Sequence, residues 1–446
     1  MQRNALTWKR RYVLKSYIRG ALWIVPFFAV LGYLVFARIA EAVNSWLVRS
    51  GRVDDTTAFY ALAVGGAQPL LETIITLDMS FLVFTFGSLL VAIQVAGGQY
   101  TPRIIATTLL RDNAIRFSVG FFVFTLLFAI RVLIRMDGAI VHQFNVFLAA
   151  TLGATSIVVF LYLIDHAARM LRPISIVRRV GDDGIAVIES LYPKPATSQR
   201  ADKSLGTRAT PDRTVSQAKT SGIVLAVDLA GLVAQARRSN GVIEFVPQVG
   251  DYVSADDPLF RLYGGASAID DRTLRGSVAF GSERTIEQDP TFAFRILVDI
   301  SIKALSAAIN DPSTAVTAID QLHRMLRRVG LRQLSGEEFL DAAGVVRLIF
   351  RTPNWEDFVH LSCIEIRHCG AGSVQIARRL RSMLEVLMQT LPPHRHAELR
   401  QQLELLDRSI EPRYSFPEDR AIARIPDPQG LGGAVNPQAA SEAPTA

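Results

Sequence analysis

The sequence predicts an α-helical membrane domain of four spans followed by a cytoplasmic α+β domain, and three observations indicate this fold class. Half of the 446 residues are hydrophobic and only 20% are charged, which is a low charge for a soluble chain of this length. Four apolar runs of bilayer-spanning length lie within the first 165 residues. After them the pattern changes to short strand-like and helix-like segments. The composition therefore excludes a wholly soluble, a disordered and a fibrous protein.

The four apolar runs are predicted to be transmembrane helices, at about residues 21–39, 73–95, 117–134 and 145–164. The first run has 19 residues, which reach roughly 28 Å at about 1.5 Å per residue. Ala40-Glu41-Ala42 resembles a signal cleavage site, but the length of the run and of the basic stretch before it favours an uncleaved anchor. Between residues 40 and 72 we expect a helix that lies on the membrane surface or continues into the second span.

Basic residues set the expected orientation. Residues 1–20 carry six lysines and arginines and no acid. The second-to-third connection and the stretch after the fourth span carry seven more, whereas the other two connections carry three. The positive-inside rule therefore predicts a multi-pass protein with both termini in the cytoplasm. Anionic lipids at that face are the expected partners of the basic stretches, in preference to nucleic acid.

Ionisable residues in or beside the spans are the first candidate site. Asp78 lies about six residues from the outer end of the second span, Arg131 lies near the outer end of the third, and Arg135 follows it. An unpaired charge in lipid costs a few kcal/mol or more. Two interpretations stay open: an ion or proton path through Asp78, or a structural arrangement. The structural arrangement is an Asp78–Arg131 or Asp78–Arg135 pair, or side chains that reach the interface.

The second half of the chain is predicted to contain five segments. These are a juxtamembrane segment (166–191), a flexible linker (192–218), a small β module (219–280), a mostly helical domain (281–412) and a disordered tail (413–446). The linker is rich in Pro, Ser, Thr, Lys and Arg, and the tail is rich in proline. The same positive-inside argument places all five segments in the cytoplasm.

Within the β module, strands are predicted at 222–227 and 241–246, with a short helix between them and a hairpin turn at Gly250-Asp251. This turn resembles the hairpins of lipoyl-type and membrane-fusion-adaptor domains. A covalent carrier would need a lysine at the hairpin tip, and the sequence has none between Thr220 and Thr291. A structural β module is therefore the preferred interpretation.

The second candidate site lies in residues 284–326, where two helices are predicted to meet at an Asn310-Asp311-Pro312 turn. Asp289 can cap the first helix, and Asp311 or Ser313 can cap the second, from about 314 to 329. One interpretation is a capped helical hairpin. The other is a small-anion or interaction pocket built from helix N-terminal amides and nearby polar side chains. Its candidate residues are Arg295, Asp299 and Lys303, spaced i, i+4, i+8, together with Asn310 and Asp311.

The remaining segments read as a strand at 345–351 and helices at 355–366, 372–391 and 394–410. Cys363 and Cys369 are expected to be plain thiols in reducing cytoplasm. His394 and His396 are two residues apart, so they point away from one face of a helix. No phosphate-binding loop, dinucleotide fingerprint, nucleophile elbow or zinc pattern is present in the sequence. We therefore expect no catalytic, metal or cofactor site, and an enzyme is the least favoured class.

Three motifs resemble the DUF2254 family of uncharacterised bacterial membrane proteins, and the resemblance extends from about residue 15 to 420. The motifs are VAIQVAGGQYTPR with the later LLRD, the VPQVGDYV turn, and QDPTFAFRILVDISIKALSAAINDPSTA. Ala293 and Ala307 stand where the family usually has glycine and proline. The resemblance implies that the protein is located in the bacterial inner membrane. It implies no particular activity.

The sequence favours two functions over an enzyme. An oligomeric channel or transporter with a regulatory cytoplasmic domain draws on Asp78 and on the large domain joined to the spans. Four spans with few polar residues can hardly enclose a pore, so a homo-oligomer is expected. The alternative is a membrane-anchored sensor or scaffold without transport or catalytic activity. A membrane enzyme ranks third, with Asp299, Asn310 and Asp311 as the residues that could gather in a cleft. The sequence identifies no protein partner.

Overall fold

The computed structural model describes residues 3–50, 64–99, 112–136, 143–170, 172–196, 210–218, 221–334 and 338–433. Parts of three sequence-based predictions lie outside the described residues: the first-to-second connection at 51–63, the centre of the linker at 197–209, and the end of the tail at 434–446.

The chain forms two compact units. The helical unit comprises Tyr17–Gly98 and Pro102–Ser175. The α/β unit comprises Met1–Ser16, Gln99–Thr101 and Ile176–Ala446. Helix α1 (Arg3–Gly20) has residues in both units, and its lysine Lys9 lies 5.9 Å from the ring centroid of Phe280 in the α/β unit.

The helical unit contains α2 (Ile24–Arg49), α3 (Val64–Gln99), α4 (Asn113–Ile134) and α5 (Gln143–Met170). Among the described residues, these four helices are long and apolar enough to cross a membrane. The four predicted helices are therefore confirmed, and each extends beyond its predicted span. Because α3 begins at Val64, the apolar run before Thr73 continues into the second span.

Aromatic contacts fix the helix directions in this unit. Phe36 of α2 packs on Phe124 and Phe128 of α4, with ring centroids 5.1 and 5.4 Å apart. Phe81 of α3 stacks on Phe160 of α5 at 4.0 Å. One turn further along α4, Glu41 of α2 reaches Arg131, so α2 and α4 run in the same direction.

Glycine contacts give the direction of the other pair. A Cβ on Gly153 of α5 would lie 2.8 Å from Ile74 of α3, seven residues before the Phe81–Phe160 contact on both helices. Helices α3 and α5 are therefore parallel to each other. Asp112, just before α4, contacts His166 near the end of α5, so α4 runs antiparallel to both. We call the end where α2 and α4 finish the Glu41 end, and the end where α4 begins the Asp112 end.

The α/β unit contains two sheets. The eight strands are β1 (Arg213–Ser216), β2 (Gly222–Val227), β3 (Gly241–Phe245), β4 (Tyr252–Val253), β5 (Pro258–Gly264), β6 (Val278–Gly281), β7 (Glu338–Leu340) and β8 (Val346–Phe350). One sheet has the order β1-β5-β3-β8-β7 and the other β4-β2-β6. All neighbours are antiparallel except β3 and β8, which are parallel.

Three predictions about this region are wrong. Part of the predicted linker is β1, which pairs with β5. The turn at Gly250 leads not into a β3–β4 hairpin but into β4, which pairs with β2, while β3 pairs with β5. The β module does not end at residue 280, because β7 and β8 complete its larger sheet. A local alternation pattern indicates strands but not their partners. The first error is a strand too short to show such a pattern, and the other two concern partners.

Helices form the rest of the unit. Their bounds are α6 (Pro173–Leu191), α7 (Leu229–Arg238), α8 (Asp271–Gly276), α9 (Pro290–Ala304), α10 (Pro312–Gly330), α11 (Trp355–Gly370), α12 (Val374–Thr390), α13 (His396–Ile410) and α14 (Pro417–Ala423). The 3₁₀ turns Gly265–Ala268 and Pro393–Arg395 complete the described elements. Helix α7 packs on β3 and β8, so residues far apart in sequence share one core.

Two glycines allow α6 to approach α10 closely. An added Cβ on Gly184 would lie 2.4 Å from Met325 and 2.9 Å from the Cβ of Ala293, and one on Gly181 would lie 2.6 Å from Gln321. Arg328 of α10 also donates to Glu189 of α6. The predicted juxtamembrane segment is thus largely a helix docked on α10.

The prediction of a disordered tail is wrong for residues 413–433. The segment contains α14, and the stretch after it lies against α12. Arg378, which is 1% exposed, donates to the carbonyls of Ile425, Gly432 and Gly433. The carboxylate of Asp427 accepts backbone N–H groups from three residues within the same loop, Gln429, Gly430 and Gly432. These bonds order a segment whose proline content suggested disorder.

Candidate functional site

Asp78 lies in the packed interior of the helical unit. Its side chain is 0% exposed, and among the described residues neither carboxylate oxygen has a hydrogen-bond partner of standard geometry. The Ser156 hydroxyl interacts with it electrostatically, yet that hydroxyl also lacks a hydrogen bond. A buried carboxylate without a counter-charge is costly in a protein core and more so in a membrane.

The helix register places Thr125 at the same level. Phe81 contacts Phe122 of α4 at 5.6 Å and Phe160 of α5 at 4.0 Å. One helical turn from these three rings towards the Glu41 end lie Asp78, Thr125 and Ser156. All three are at most 1% exposed. We call these three residues the Asp78 layer.

The Asp78 layer lies near the middle of the helices. Each of its residues is within four residues of the centre of its candidate span, Gly66–Gly98, Asn113–Ile134 or Gln143–Met170. The sequence had placed Asp78 near one end of a shorter span. The layer is closed by the three phenylalanine rings on one side and by an apolar cluster that includes Ile74 and Phe128 on the other.

The predicted Asp78–Arg131 and Asp78–Arg135 pairs are wrong. Arg131 instead donates from Nε and Nη2 to Oε1 of Glu41, at 2.8 and 2.6 Å, and Arg135 Nη1 lies 2.6 Å from the same oxygen. Arg131 is six residues beyond Thr125 on α4, about 9 Å along the helix axis, so it lies at a different depth from Asp78. The sequence indicated no pairing role for Glu41, which appeared there only as part of the possible cleavage site Ala40-Glu41-Ala42.

The Glu41 cluster, consisting of Glu41, Arg131 and Arg135, borders a small pocket. The other lining residues are Ala37, Ala40, Phe128, Val132 and Asn145. Asn145 is buried, and its Oδ1 has no hydrogen-bond partner among the described residues. One carboxylate faces two guanidinium groups, so the cluster has a net charge of +1.

The opposite end of the unit has its own polar contact. Asp112 caps α4 by accepting the backbone N–H of Ile115 at 3.2 Å, and the same oxygen lies 3.1 Å from Nε2 of His166. Asp112 is buried, and the His166 side chain is 26% exposed. Titratable groups therefore occur at both ends and at the centre of the helical unit.

At the second candidate site, Arg295 is paired with two carboxylates and does not line an anion pocket. Arg295 donates to Asp299 from Nε at 2.6 Å and to Glu365 of α11 from Nη2 at 3.0 Å. The hydrogen bonding and charge of Arg295 hold the pKa of Glu365 below its usual range. Two carboxylates thus surround the one guanidinium group, and Arg295 is not available to attract an anion.

The Asn310-Asp311 turn is a structural junction. Asp311 caps α10 by accepting the N–H of Thr314 at 3.1 Å, as Asp289 caps α9 through Phe292. Asn310 adopts a φ of 47°, a left-handed conformation that asparagine tolerates. Lys303 lies in the last turn of α9. The capped helical hairpin is the interpretation that these contacts support.

Within the described part of the α/β unit, no cluster of three or more His, Cys, Asp or Glu side chains could hold a metal ion, and the same holds for the described helical unit. Cys363 is buried and Cys369 exposed, and neither is in a disulfide. Burial raises the pKa of the Cys363 thiol to about 12, so it is a poor nucleophile.

Sequence reasoning identified Asp78 but missed Thr125, Ser156 and Glu41. Each is a single polar residue in or beside an apolar run, and such residues carry no motif. Their importance depends on the register between helices that are 30 or more residues apart in sequence. An acid placed near the same predicted membrane border as two arginines was the one signal that could have indicated Glu41.

Comparisons with known proteins agree with this architecture. Residues 19–386 match the family described as predicted membrane protein (DUF2254). An uncharacterised protein of Mycobacterium bovis is 27% identical over 428 aligned residues, which cover 93% of this chain and 80% of that protein. An uncharacterised protein of Mycobacterium tuberculosis has the same identity and coverage. No solved structure matches the chain. With most of its length matched and four helices suited to a bilayer, the chain belongs to the DUF2254 family of membrane proteins.

Proposed function

We propose that this protein moves a small cation or a proton across the membrane. The observation that carries the proposal is Asp78, which is fully buried at the middle of its span and has no positively charged partner among the described residues. Apolar residues would stabilise the bundle better at this position. Ionisable residues of this kind in a span are typical of ion pathways and proton relays.

The positions of the other titratable groups along the helical unit also support passage of a cation or proton. Glu41 with its arginines lies at one end, Asp78 at the centre, and Asp112 with His166 at the other end. The rings of Phe81, Phe122 and Phe160 lie between Asp78 and the Asp112 end. In the proposed cycle these rings must separate for an ion to reach that end.

The proposed setting follows the sequence-based topology. The Glu41 end faces outwards, and the α/β unit and both termini lie in the cytoplasm at the bacterial inner membrane, next to anionic lipid. Several copies are proposed to assemble, and in each copy the pathway passes through the Asp78 layer when the three phenylalanine rings separate. The α/β unit regulates passage in this proposal. Arg135 is half-exposed and paired with Glu41, so the carboxylate offsets part of its charge near an entering cation.

Flux through liposomes tests the proposal. Purified protein is reconstituted, and the decay of an imposed proton or sodium gradient is followed. Asp78→Asn is expected to lower the flux at least 10-fold, because the neutral amide cannot exchange a proton or balance a cation. The matched control is Asp165→Asn on α5, an exposed aspartate that pairs with Arg169; it should leave the flux unchanged.

Two outcomes would oppose the proposal. Equal flux in wild type and Asp78→Asn would exclude a direct role for Asp78. A reconstituted wild type that moves no cation under any gradient would favour the alternative, a membrane-anchored sensor or scaffold.

A further inference from the structure

We infer that Asp78, Thr125 and Ser156 are ligands of a small monovalent metal cation of the size of sodium. The inference rests on the proposed function and specifies the ion that the Asp78 layer takes. Three helices each contribute one oxygen-bearing side chain, and all three side chains are at most 1% exposed.

The hydroxyl groups of this layer behave differently from others in the unit. A serine or threonine in a membrane helix normally satisfies its hydroxyl by donating to the carbonyl four residues earlier. Six residues of α3 and α5 do so, at 2.6–2.9 Å: Thr73, Thr76, Ser80, Thr85, Thr151 and Thr155. The hydroxyls of Thr125 and Ser156 make no such bond to their own helices, although both are completely enclosed, and the Ser156 hydroxyl interacts with the Asp78 carboxylate. The lone pairs of both hydroxyl oxygens are therefore open to a ligand that also binds the Asp78 carboxylate.

The charge of the layer selects a monovalent ion. Asp78 supplies one negative charge, and the nearest arginine considered above, Arg131, is at a different depth and is engaged by Glu41. A monovalent cation makes the layer neutral, whereas a divalent cation would leave one positive charge in an apolar interior. Carboxylate and hydroxyl oxygens are hard ligands, which suit such metal ions.

The unpaired hydroxyls favour a metal ion over a proton. A proton on Asp78 would neutralise the carboxylate and keep its interaction with the Ser156 hydroxyl, but it would leave the buried Thr125 hydroxyl without a partner. A metal ion bound by all three side chains would engage Thr125 as well. Gly153 supports this geometry, because it lets α5 approach Ile74 of α3 one turn before Ser156 and Asp78.

Thermal unfolding of the full-length protein in detergent tests the site without measuring transport. Sodium chloride is titrated against choline chloride at constant ionic strength, so that only the cation changes. A ligand that binds the folded state raises the unfolding temperature in a saturable manner. We expect such a rise for sodium, and a smaller one for the larger potassium ion.

The variants assign the effect to the layer. Thr125→Val and Ser156→Ala each remove one ligand oxygen and keep the carboxylate, and each should weaken the apparent sodium affinity about 10-fold. Asp78→Asn should abolish the sodium-dependent rise. Thr155→Ala is the matched control: this threonine is adjacent to Ser156 but exposed and bonded to its own helix, so the affinity should not change.

The outcomes separate this inference from the proposed function. If sodium does not stabilise the wild type while Asp78→Asn abolishes a proton flux, the layer carries a proton and the metal inference is overturned. If sodium stabilises the wild type through these residues but no flux occurs, the site stands and the transport proposal fails. If Asp78→Asn does not fold, unchanged sodium affinity in both Thr125→Val and Ser156→Ala still refutes the inference.

Discussion

Glu41 pairs with Arg131 and Arg135 at one end of the helical unit. This contact allows us to predict how removal of the Glu41 charge changes the free energy of unfolding. In Glu41→Gln, Arg131 and Arg135 would face each other without a carboxylate. Because the Glu41 side chain is 25% exposed, we expect a loss of about 1–3 kcal/mol in the free energy of unfolding, the range for stranding a largely buried polar group. Denaturation in detergent measures it.

A double-mutant cycle with Arg131→Gln separates the pair from other effects of substitution. The double variant should recover part of the loss, since the arginine is no longer stranded. Full additivity of the two single changes would contradict the pairing.

His323 on α10 gives the α/β unit a pH dependence. Burial, assisted by Arg379 and Arg327, lowers the pKa of His323 to about 4. The unfolded chain binds a proton near the ordinary histidine pKa of about 6.5, so it takes up more protons than the folded chain between these two values. Stability is therefore fully present above about pH 6.5 and falls as the pH drops towards 4.

The measurement is thermal unfolding at pH 7 and pH 5 for wild type and His323→Gln. The wild type should lose more stability on acidification than the variant. Burial raises the pKa of Asp289, which gives the opposite trend, but Asp289 is common to both proteins and drops out of the comparison. Identical losses would show that His323 does not set the dependence.

At the scale of single residues, sequence reasoning identified the unusual charges but not their partners. Asp78, Arg131 and Arg135 were visible because charge is rare in apolar runs. Their depths were estimated from where the apolar runs end, whereas α3 extends to Val64, well before the predicted start of its span. The Phe81–Phe160 and Ile74–Gly153 contacts place Asp78 level with Ser156 instead of Arg131.

The junction between α9 and α10 allows a direct test of which residue caps a helix. The sequence left Asp311 and Ser313 as alternatives, and Asp311 accepts the Thr314 N–H. Asp311→Ala should cost about 1 kcal/mol of stability, as removal of an N-cap does. Ser313→Ala, at an exposed position, should change stability by less than about 0.5 kcal/mol. Equal effects in urea denaturation would refute the assignment.

The close contact between α6 and α10 predicts a strong steric effect. Gly184→Val would place a branched side chain where Met325 and Ala293 already lie within 3 Å of an added Cβ. We expect a destabilisation of about 1–3 kcal/mol from overpacking. Ala186→Val on the exposed face of the same helix controls for the lower helix propensity of valine. A similar loss in both variants would indicate propensity rather than contact.

Elements were predicted better than their assembly. The Asp289 cap of α9, the strand at 346–350 and the helices α11, α12 and α13 follow from local patterns, and the structure has them within a few residues. The pairing of β4 with β2 and of β8 with β3 depends on contacts between distant segments, which no local pattern contains.

On the scale of the whole molecule, the C-terminal segment is held by side chains of α12, among which buried Arg378 makes three hydrogen bonds, with Arg379 and Gln375 beside it. Arg378→Ala would remove three hydrogen bonds to the carbonyls of residues 425, 432 and 433. Limited proteolysis should then cleave after about residue 423 several-fold faster than in wild type, because local opening exposes the segment. Arg408→Ala, at an exposed position of α13, should leave the rate unchanged; equal rates in Arg378→Ala and wild type would contradict the docking role.

The parallel pairing of β3 with β8 also has a consequence for biosynthesis. The two strands are separated by about 100 residues, and β8 must leave the ribosome before it can complete the sheet. At a synthesis rate of about 5–20 residues per second, the edge of β3 that will pair with β8 stays unpaired for roughly 5–20 seconds. During that interval Ile243 and Phe245, which are buried in the finished fold, lie beside unpaired backbone groups. By this stage the apolar helices have already been synthesised. The unpaired edge of β3 must then be protected from aggregation until β8 is available.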